Sequence, residues 1–393
     1  MNITTLTPDD NGDVDWPSAD NDRRVVVTLG AFDGMHLGHQ AVVRRVVELA
    51  HRHDVGSAVI LFDPRPAFVH ASGGSDTGSD TNNPIDTDAL TGVDERLNRL
   101  EELGVEQVYV VHYTLAFASK SYIFFLGQLT GKLGMRTLVL GSDAAMGEGR
   151  KGDIKAIANL AAATGVFELD VVDDRGPGEV RIPRDWTPEA PDAPGEPADP
   201  LADASKAERR AWSKKHQAKA TRAWSSSNVR YLLAHGRVRE ANAILGHCHA
   251  VTGEVVHGEE RGRSIGFPTA NLGDQVTGYL PVDGVYAGWL VDMGVADMGV
   301  AESESAGRNT TQDAPRWPAA ISIGTKPTFS KTTGLHERVV EAYCITEDWL
   351  ELYGHTVRVE FAGFLRPQVR FDGPDELTAE LKRNVEETKR LTA

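Results

Sequence analysis

Two groups of residues have the types and spacing that nucleotide chemistry needs. The first is Gly30-Ala31-Phe32-Asp33-Gly34-Met35-His36-Leu37-Gly38-His39. It follows an apolar, β-branched run at 24–29 and leads into a helical pattern at 38–53, where Val42, Val43, Val46, Val47 and Ala50 recur at helical spacing. Gly34 and Gly38 let the backbone turn tightly against a ligand. The start of the following helix offers unpaired N–H groups and a positive dipole end, which suit phosphate. His36 and His39, three apart, can face one phosphate and donate hydrogen bonds to charge developing on it. The bland reading is two incidental surface histidines in a glycine-rich turn. The strand–turn–helix setting favours the functional one, and no third ligand nearby supports zinc.

The second group is the stretch 258–271, where Gly258, Gly262 and Gly266 form a loop whose N–H groups can wrap phosphates. No Gly-Lys-Ser/Thr follows, so it is not a Walker loop. Thr269 and Asn271 offer hard oxygen ligands for Mg²⁺, an ion that uses few protein ligands and keeps several waters. The glycines taken alone would also fit an ordinary β-turn.

The elements that must position these residues fall into two sets. Strand patterns at 24–29, 58–62, 107–112 and 137–140 alternate with helix patterns at 38–53, 96–103, 123–133 and 154–164. Such alternation predicts βαβ units, a mainly parallel sheet and right-handed crossovers. From about residue 251, short apolar runs (251–257, 284–291, 319–323, 339–345 and 356–364) alternate with turn signals, which predicts an antiparallel barrel or sandwich. A helix at 374–391 closes the chain. Residues 1–20 are expected to be a disordered tail. The expected domains are 21–237, with polar or proline-rich insertions at 71–89 and 176–222, and 247–393, with an insertion at 291–314.

The 393 residues allow two domains, and 40% apolar content supplies their cores. A formal charge of −16 argues against nucleic acid or an anionic membrane as partner. No run reaches the roughly 18 apolar residues of a membrane span. The polar, acidic start is no signal peptide, and Cys248 and Cys344 show neither metal-ligand spacing nor a disulfide framework. These features lead us to expect a cytoplasmic protein with reduced thiols. A homo-oligomer is compatible with the sequence but not indicated by it.

The first group resembles the His-x-Gly-His nucleotidylyltransferases, in the branch found in bifunctional prokaryotic riboflavin kinase/FMN adenylyltransferases. In that family Gly-x-Phe-Asp-Gly-x-His-x-Gly-His opens a Rossmann-like adenylylating domain. Phe62-Asp63-Pro64-Arg65-Pro66, Gly141-Ser142-Asp143, Gly149-Arg150-Lys151-Gly152-Asp153 and Ser225-Ser226-Ser227-Asn228-Val229-Arg230 resemble its further motifs in order. The resemblance implies nucleotide binding by Gly30, Phe32, Asp33, Gly34, Asp143, Ser226, Ser227 and Arg230, with His36 and His39 catalytic. Serine hydroxyls at a helix start, with an arginine a turn later, can hold ATP phosphates. Two departures bear on flavin placement: Arg65 stands where the family has histidine, and Ala144-Ala145-Met146 replaces its Phe-Arg-Phe.

The second group matches every fixed position of the riboflavin kinase string Gly-x-x-x-Gly-Arg-x-x-Gly-Phe-Pro-Thr-Ala-Asn-Leu. That resemblance implies a six-stranded antiparallel barrel and nucleotide binding by Gly258, Gly262, Arg263, Thr269 and Asn271. It places Mg²⁺ at Thr269 and Asn271, and makes Glu341 the general base. The implied activity is phosphorylation of riboflavin to FMN by ATP, followed by adenylylation of FMN to FAD. The rival expectation is a kinase with a degenerate, non-catalytic nucleotide-binding first domain.

Overall fold

The computed structural model describes residues 1–18, 24–73, 86–257, 269–295, 314–325 and 338–393. The chain divides into two compact units: Met1–Gly178 with Arg222–Ser226, and Glu179–Thr221 with Ser227–Ala393.

The first unit is built on β1 (Asn2–Leu6), β2 (Val25–Gly30), α1 (Leu37–His53), β3 (Gly56–Asp63), α2 (Pro66–Ala71), α3 (Val93–Glu102), β4 (Gln107–His112), α4 (Leu115–Ala118), α5 (Tyr122–Gly131) and β5 (Met135–Gly141). A small antiparallel pair follows, β6 (Ala145–Met146) with β7 (Gly152–Asp153), then α6 (Ile154–Thr164) and β8 (Glu168–Val172). The main sheet is parallel, in the order β1-β4-β3-β2-β5-β8. Alternation along its strands sends side chains to opposite faces. Val27, Ile60 and Leu138 pack on α5 through Phe125, Leu126 and Leu129. Val26 and Val139 pack on α1 through Val42, Val46 and Leu49, and Val59 and Leu61 pack on Leu97 and Leu100 of α3. The strand order reverses beside β2, so a crevice is expected beyond the carboxyl ends of β2 and β5.

The beginning of the chain corrects one expectation. Residues 1–18 are no disordered tail: β1 pairs with β4 from Asn2↔Gln107 to Leu6↔Val111. Trp16 is buried edge-on against Tyr109 and Phe125. A short edge strand carrying Asn and Thr buries little by itself, and its pairing with a neighbour is what stabilises it.

The second unit opens with β9 (Glu179–Ile182), α7 (Lys206–Lys215) and β10 (Lys219–Arg222). The proline-rich stretch, expected as an insertion in the first domain, packs here instead. Trp186 meets Tyr231 and His235 edge-on, and the Glu196 carboxylate accepts from the backbone N–H groups of Arg239 and Phe364. After α8 (Ser226–Leu233) and α9 (Val238–Leu245), six strands close an antiparallel barrel: β11 (His249–Val256), β12 (Ala270–Leu272), β13 (Gly284–Val295), β14 (Arg316–Thr325), β15 (Arg338–Cys344) and β16 (His355–Arg366), in the order β11-β12-β15-β14-β13-β16. Val251, Tyr286, Leu290, Ile321, Ala342, Val359 and Phe361 are fully buried on the inward phase of these strands. The terminal helix α10 (Pro374–Thr392) sets Leu391 against Val285, Ala287 and Leu365 on the outside.

Candidate active sites

In the first unit the turn after β2 is held in a costly backbone conformation. Phe32 and Met35 have φ of 47° and 42°, and Gly34 has 79°. Left-handed geometry at two bulky residues survives because both side chains are buried, and such strain collects at functional turns. The turn delivers His36 to the N-cap of α1, where its Nδ1 accepts from the His39 N–H at 3.3 Å. With Nδ1 accepting, the ring proton of the neutral imidazole sits on Nε2. That Nε2 is buried without a partner, and so is Nδ1 of His39. The two rings stack at 3.7 Å, and Phe32 meets His39 edge-on at 5.3 Å. Burial, helped by the nearby Arg222 cation, pulls the His36 pKa down to about 3 despite Asp174. Burial lowers His39 well below its ordinary value too, with His36 adding to the effect. The pair is therefore neutral and carries two unsatisfied polar atoms, a combination that is costly unless a ligand meets them.

Two flanking residues were not singled out from the sequence. Asp174, buried beyond the end of β8, accepts from the Ser142 N–H at 3.0 Å and the Ser142 hydroxyl at 2.9 Å. Arg222 donates from Nη1 at 2.7 Å to both Asp174 and Asp143. The fit depends on two missing Cβ atoms. One built on Gly38 would lie 2.4 Å from the Asp174 carbonyl oxygen, and one on Gly141 would lie 2.3 Å from its carboxylate. The only available signal was positional, since both Asp174 and Asp143 follow the carboxyl ends of parallel strands.

The remaining first-group residues take distinct places. Gly30 ends β2. The Asp33 carboxylate accepts from the Leu90 and Thr91 N–H groups at 2.8 and 3.4 Å, so it braces the turn. The Ser226 hydroxyl donates to the Asp33 carbonyl at 2.9 Å, tying the start of α8 to the turn. Ser227 and Arg230 follow on α8. Met146, in the segment that departs from the family's Phe-Arg-Phe, is buried in the core with Ala144 packed against it.

In the second unit, β12 and β15 pair so that Asn271 stands directly opposite Glu341. Glu341 is also paired with Ser322 on its other side. These positions are out of phase with the buried inward set, so they share the outer face of the barrel. Thr269, two residues before Asn271, is on the same side. The Asn271 Nδ2 donates to the Thr269 carbonyl at 3.2 Å and lies 3.5 Å from its hydroxyl. Asn271 Oδ1 and Thr269 Oγ1 thus remain as oxygen donors beside a carboxylate, a set that fits one Mg²⁺ completed by phosphate and water. Among the described residues no group of three or more His, Cys, Asp or Glu can hold a metal ion. A cavity of about 280 Å³ adjoins Thr269, walled by Ala270, Tyr343, Trp349, Leu352 and Tyr353. Cys344 lines it as well, its thiol pushed up to about 12 by burial. Gly258, Gly262 and Arg263 lie outside the described residues, but His257, just before them, stacks on Tyr353 at 3.8 Å.

Comparison with known proteins follows the same division. Residues 18–185 match the family model for FAD synthetase, and residues 245–392 match that for riboflavin kinase. Proteins named bifunctional riboflavin kinase/FMN adenylyltransferase align along nearly the whole chain. The one from Listeria monocytogenes is 28% identical over 94% of this chain and 92% of its own. The one from Escherichia coli K12 is 28% identical over 91% and 90%. The chain belongs to this bifunctional family. A solved structure from Streptococcus pneumoniae, described as a macrolide-efflux protein, superposes with a TM-score of 0.67 at 24% identity, covering 98% of both chains. That likeness speaks to the fold alone. Within the family, His36 and His39 fall in the FAD synthetase match, and Thr269, Asn271 and Glu341 fall in the riboflavin kinase match. Among the described residues no helix is long and apolar enough to cross a membrane.

Proposed function

We propose that the chain makes flavin cofactors in two ATP-dependent steps, riboflavin to FMN in the second unit and FMN to FAD in the first. The observation that carries the first step is the register that sets Asn271 against Glu341 with Thr269 hydrogen-bonded alongside. In this reading the Glu341 carboxylate takes the proton of the ribityl 5′-hydroxyl as that oxygen attacks the γ-phosphorus of ATP and ADP leaves. Thr269 and Asn271 hold Mg²⁺, which when bound neutralises charge on the phosphates. The aromatic-walled cavity beside Thr269 takes a planar ring.

For the second step, an FMN phosphate oxygen attacks the α-phosphorus of ATP and pyrophosphate departs. His36 donates from Nε2 to a non-bridging oxygen as its charge builds, and His39 supports it from the neighbouring ring. Arg222, balanced between Asp143 and Asp174, offers a cation to the leaving phosphates. Catalysis in both units is mainly positioning and charge neutralisation.

The kinase-only reading rests on Ala144-Ala145-Met146, whose methionine is turned into the core. The unsatisfied histidine pair weighs against it, because a disused site has no reason to keep buried orphan atoms. Supplying FMN, ATP and Mg²⁺ to purified protein and separating the products decides between them: FAD is expected, and unconverted FMN would leave only the kinase. Both steps draw on ATP and yield soluble products, which suits the cytoplasm.

A further inference from the structure

Arg65 is where this chain departs from the family's histidine, and the structure gives it a specific task. Arg65 is only 8% exposed, and its guanidinium is engaged on two sides. Nε and Nη2 donate to Asp86 Oδ2 and Oδ1 at 2.7 and 2.6 Å, a two-pronged pair. Nη1 lies 3.5 Å from Asp33 Oδ2. Asp33 in turn accepts from the Leu90 and Thr91 N–H groups with its other oxygen, and the Thr91 hydroxyl accepts from the Gly34 N–H at 3.2 Å. The contacts form a closed ring: the Asp33–Gly34 turn, residues 86–91, and Arg65 at the head of α2. Three residues past Asp33 stands His36, so the ring braces the backbone that aims its Nε2.

We propose that Arg65 is a positioning residue for adenylylation, a cationic clasp that fastens residues 86–91 to the turn carrying His36. The inference rests on reading the first unit as the adenylylating one. Its physical content is that Asp33 and Asp86, both largely buried, share one guanidinium. Remove that cation and two carboxylates face each other in a poorly solvated place, where like charges repel strongly. The segment is then pushed off the turn. A misplacement of about 1 Å at a reacting group costs on the order of 100-fold at worst.

The test uses the full chain and three variants: Arg65→Leu, Asp86→Asn, and the two combined. Arg65→Leu should lower kcat for FAD formation from FMN by about tenfold, change the KM for ATP less, and leave FMN formation from riboflavin untouched. Hydrogen exchange at the Leu90 and Thr91 amides should speed up in parallel. Asp86→Asn alone keeps an acceptor for the guanidinium and the Arg65–Asp33 contact, so it should lower the rate and the protection, but less than Arg65→Leu does. In the double variant the repulsion is gone, so both rate and amide protection should recover at least halfway. A merely structural arginine would not show that rescue, since two damaging substitutions would add. Parent-like rates and exchange in Arg65→Leu would overturn the clasp, and so would a loss that Asp86→Asn fails to relieve. If the parent protein makes no FAD, the adenylylation reading fails, while the exchange data still decide whether the clasp exists.

Discussion

Replacing His36 by asparagine separates its two jobs. The Nδ1 atom caps α1 by accepting from the His39 N–H at 3.3 Å, while Nε2 is buried without a partner. Asparagine is among the best N-cap residues and keeps an acceptor at the right distance from its backbone. It cannot place a donor where Nε2 stands. The 3.3 Å cap bond is long, so its loss in His36→Ala should cost toward the low end of about 0.5–2 kcal/mol, and less in His36→Asn. The donor is worth far more. A preorganised donor to developing oxyanion charge in a water-poor site contributes about 2.7–4 kcal/mol, or roughly 100- to 1000-fold in kcat. His36→Asn should therefore melt close to the parent yet make FAD from FMN at least about 100-fold more slowly, with FMN formation from riboflavin intact as the internal control. Chromatographic separation of flavins over time reads both rates. FAD formation within a few-fold of the parent would refute the assignment of Nε2 as the donor. The pH profile adds a second check. Since burial holds the His36 pKa at about 3 and His39 also stays neutral, kcat/KM for adenylylation should show no acid limb near the ordinary histidine value of about 6.5.

Two further substitutions probe the frames of the sites. Gly38→Ala should abolish FAD formation and destabilise the first unit by about 1–3 kcal/mol in thermal melting, because the added methyl falls 2.4 Å from the Asp174 carbonyl oxygen; parent-like melting and activity would show that the backbone there yields easily. In the barrel, His249 stacks on Phe361, and burial lowers its pKa to about 4. The unfolded chain therefore binds a proton below about pH 6.5 that the folded barrel refuses, so the contribution of His249 is intact above that pH and is lost as pH falls toward 4. The loss is at most about 3 kcal/mol, and His249→Leu should flatten that part of the stability–pH curve measured by denaturant unfolding.

The sequence showed the parts of this molecule that rest on local pattern. The alternation of strands and helices up to residue 164 predicts the parallel sheet, and the glycines around His36 mark the turn that the strained φ angles of Phe32 and Met35 confirm. What escaped depends on tertiary partners. β1 is too short and too rich in polar residues to stand out until it lies beside β4. Asp174 and Arg222 are 48 residues apart and meet only across the ends of β5 and β8. Arg65 looked like a change in flavin placement because Asp86, twenty-one residues on, gives it its meaning. The proline-rich stretch looked like a mobile insertion because its anchors, Trp186 and Glu196, find partners more than forty residues away. Glu341 could be chosen only by family resemblance, for nothing in its local sequence tells that Asn271 will stand across from it.

The claim that two separate sites act in series is tested most directly by following flavins from riboflavin, ATP and Mg²⁺ with Glu341→Ala and His36→Asn side by side. Glu341→Ala should make no FMN from riboflavin yet convert supplied FMN to FAD, and His36→Asn should accumulate FMN without FAD. Failure of folded Glu341→Ala to convert supplied FMN, failure of folded His36→Asn to make FMN from riboflavin, or FAD formed from riboflavin by Glu341→Ala at the parent rate would contradict the account.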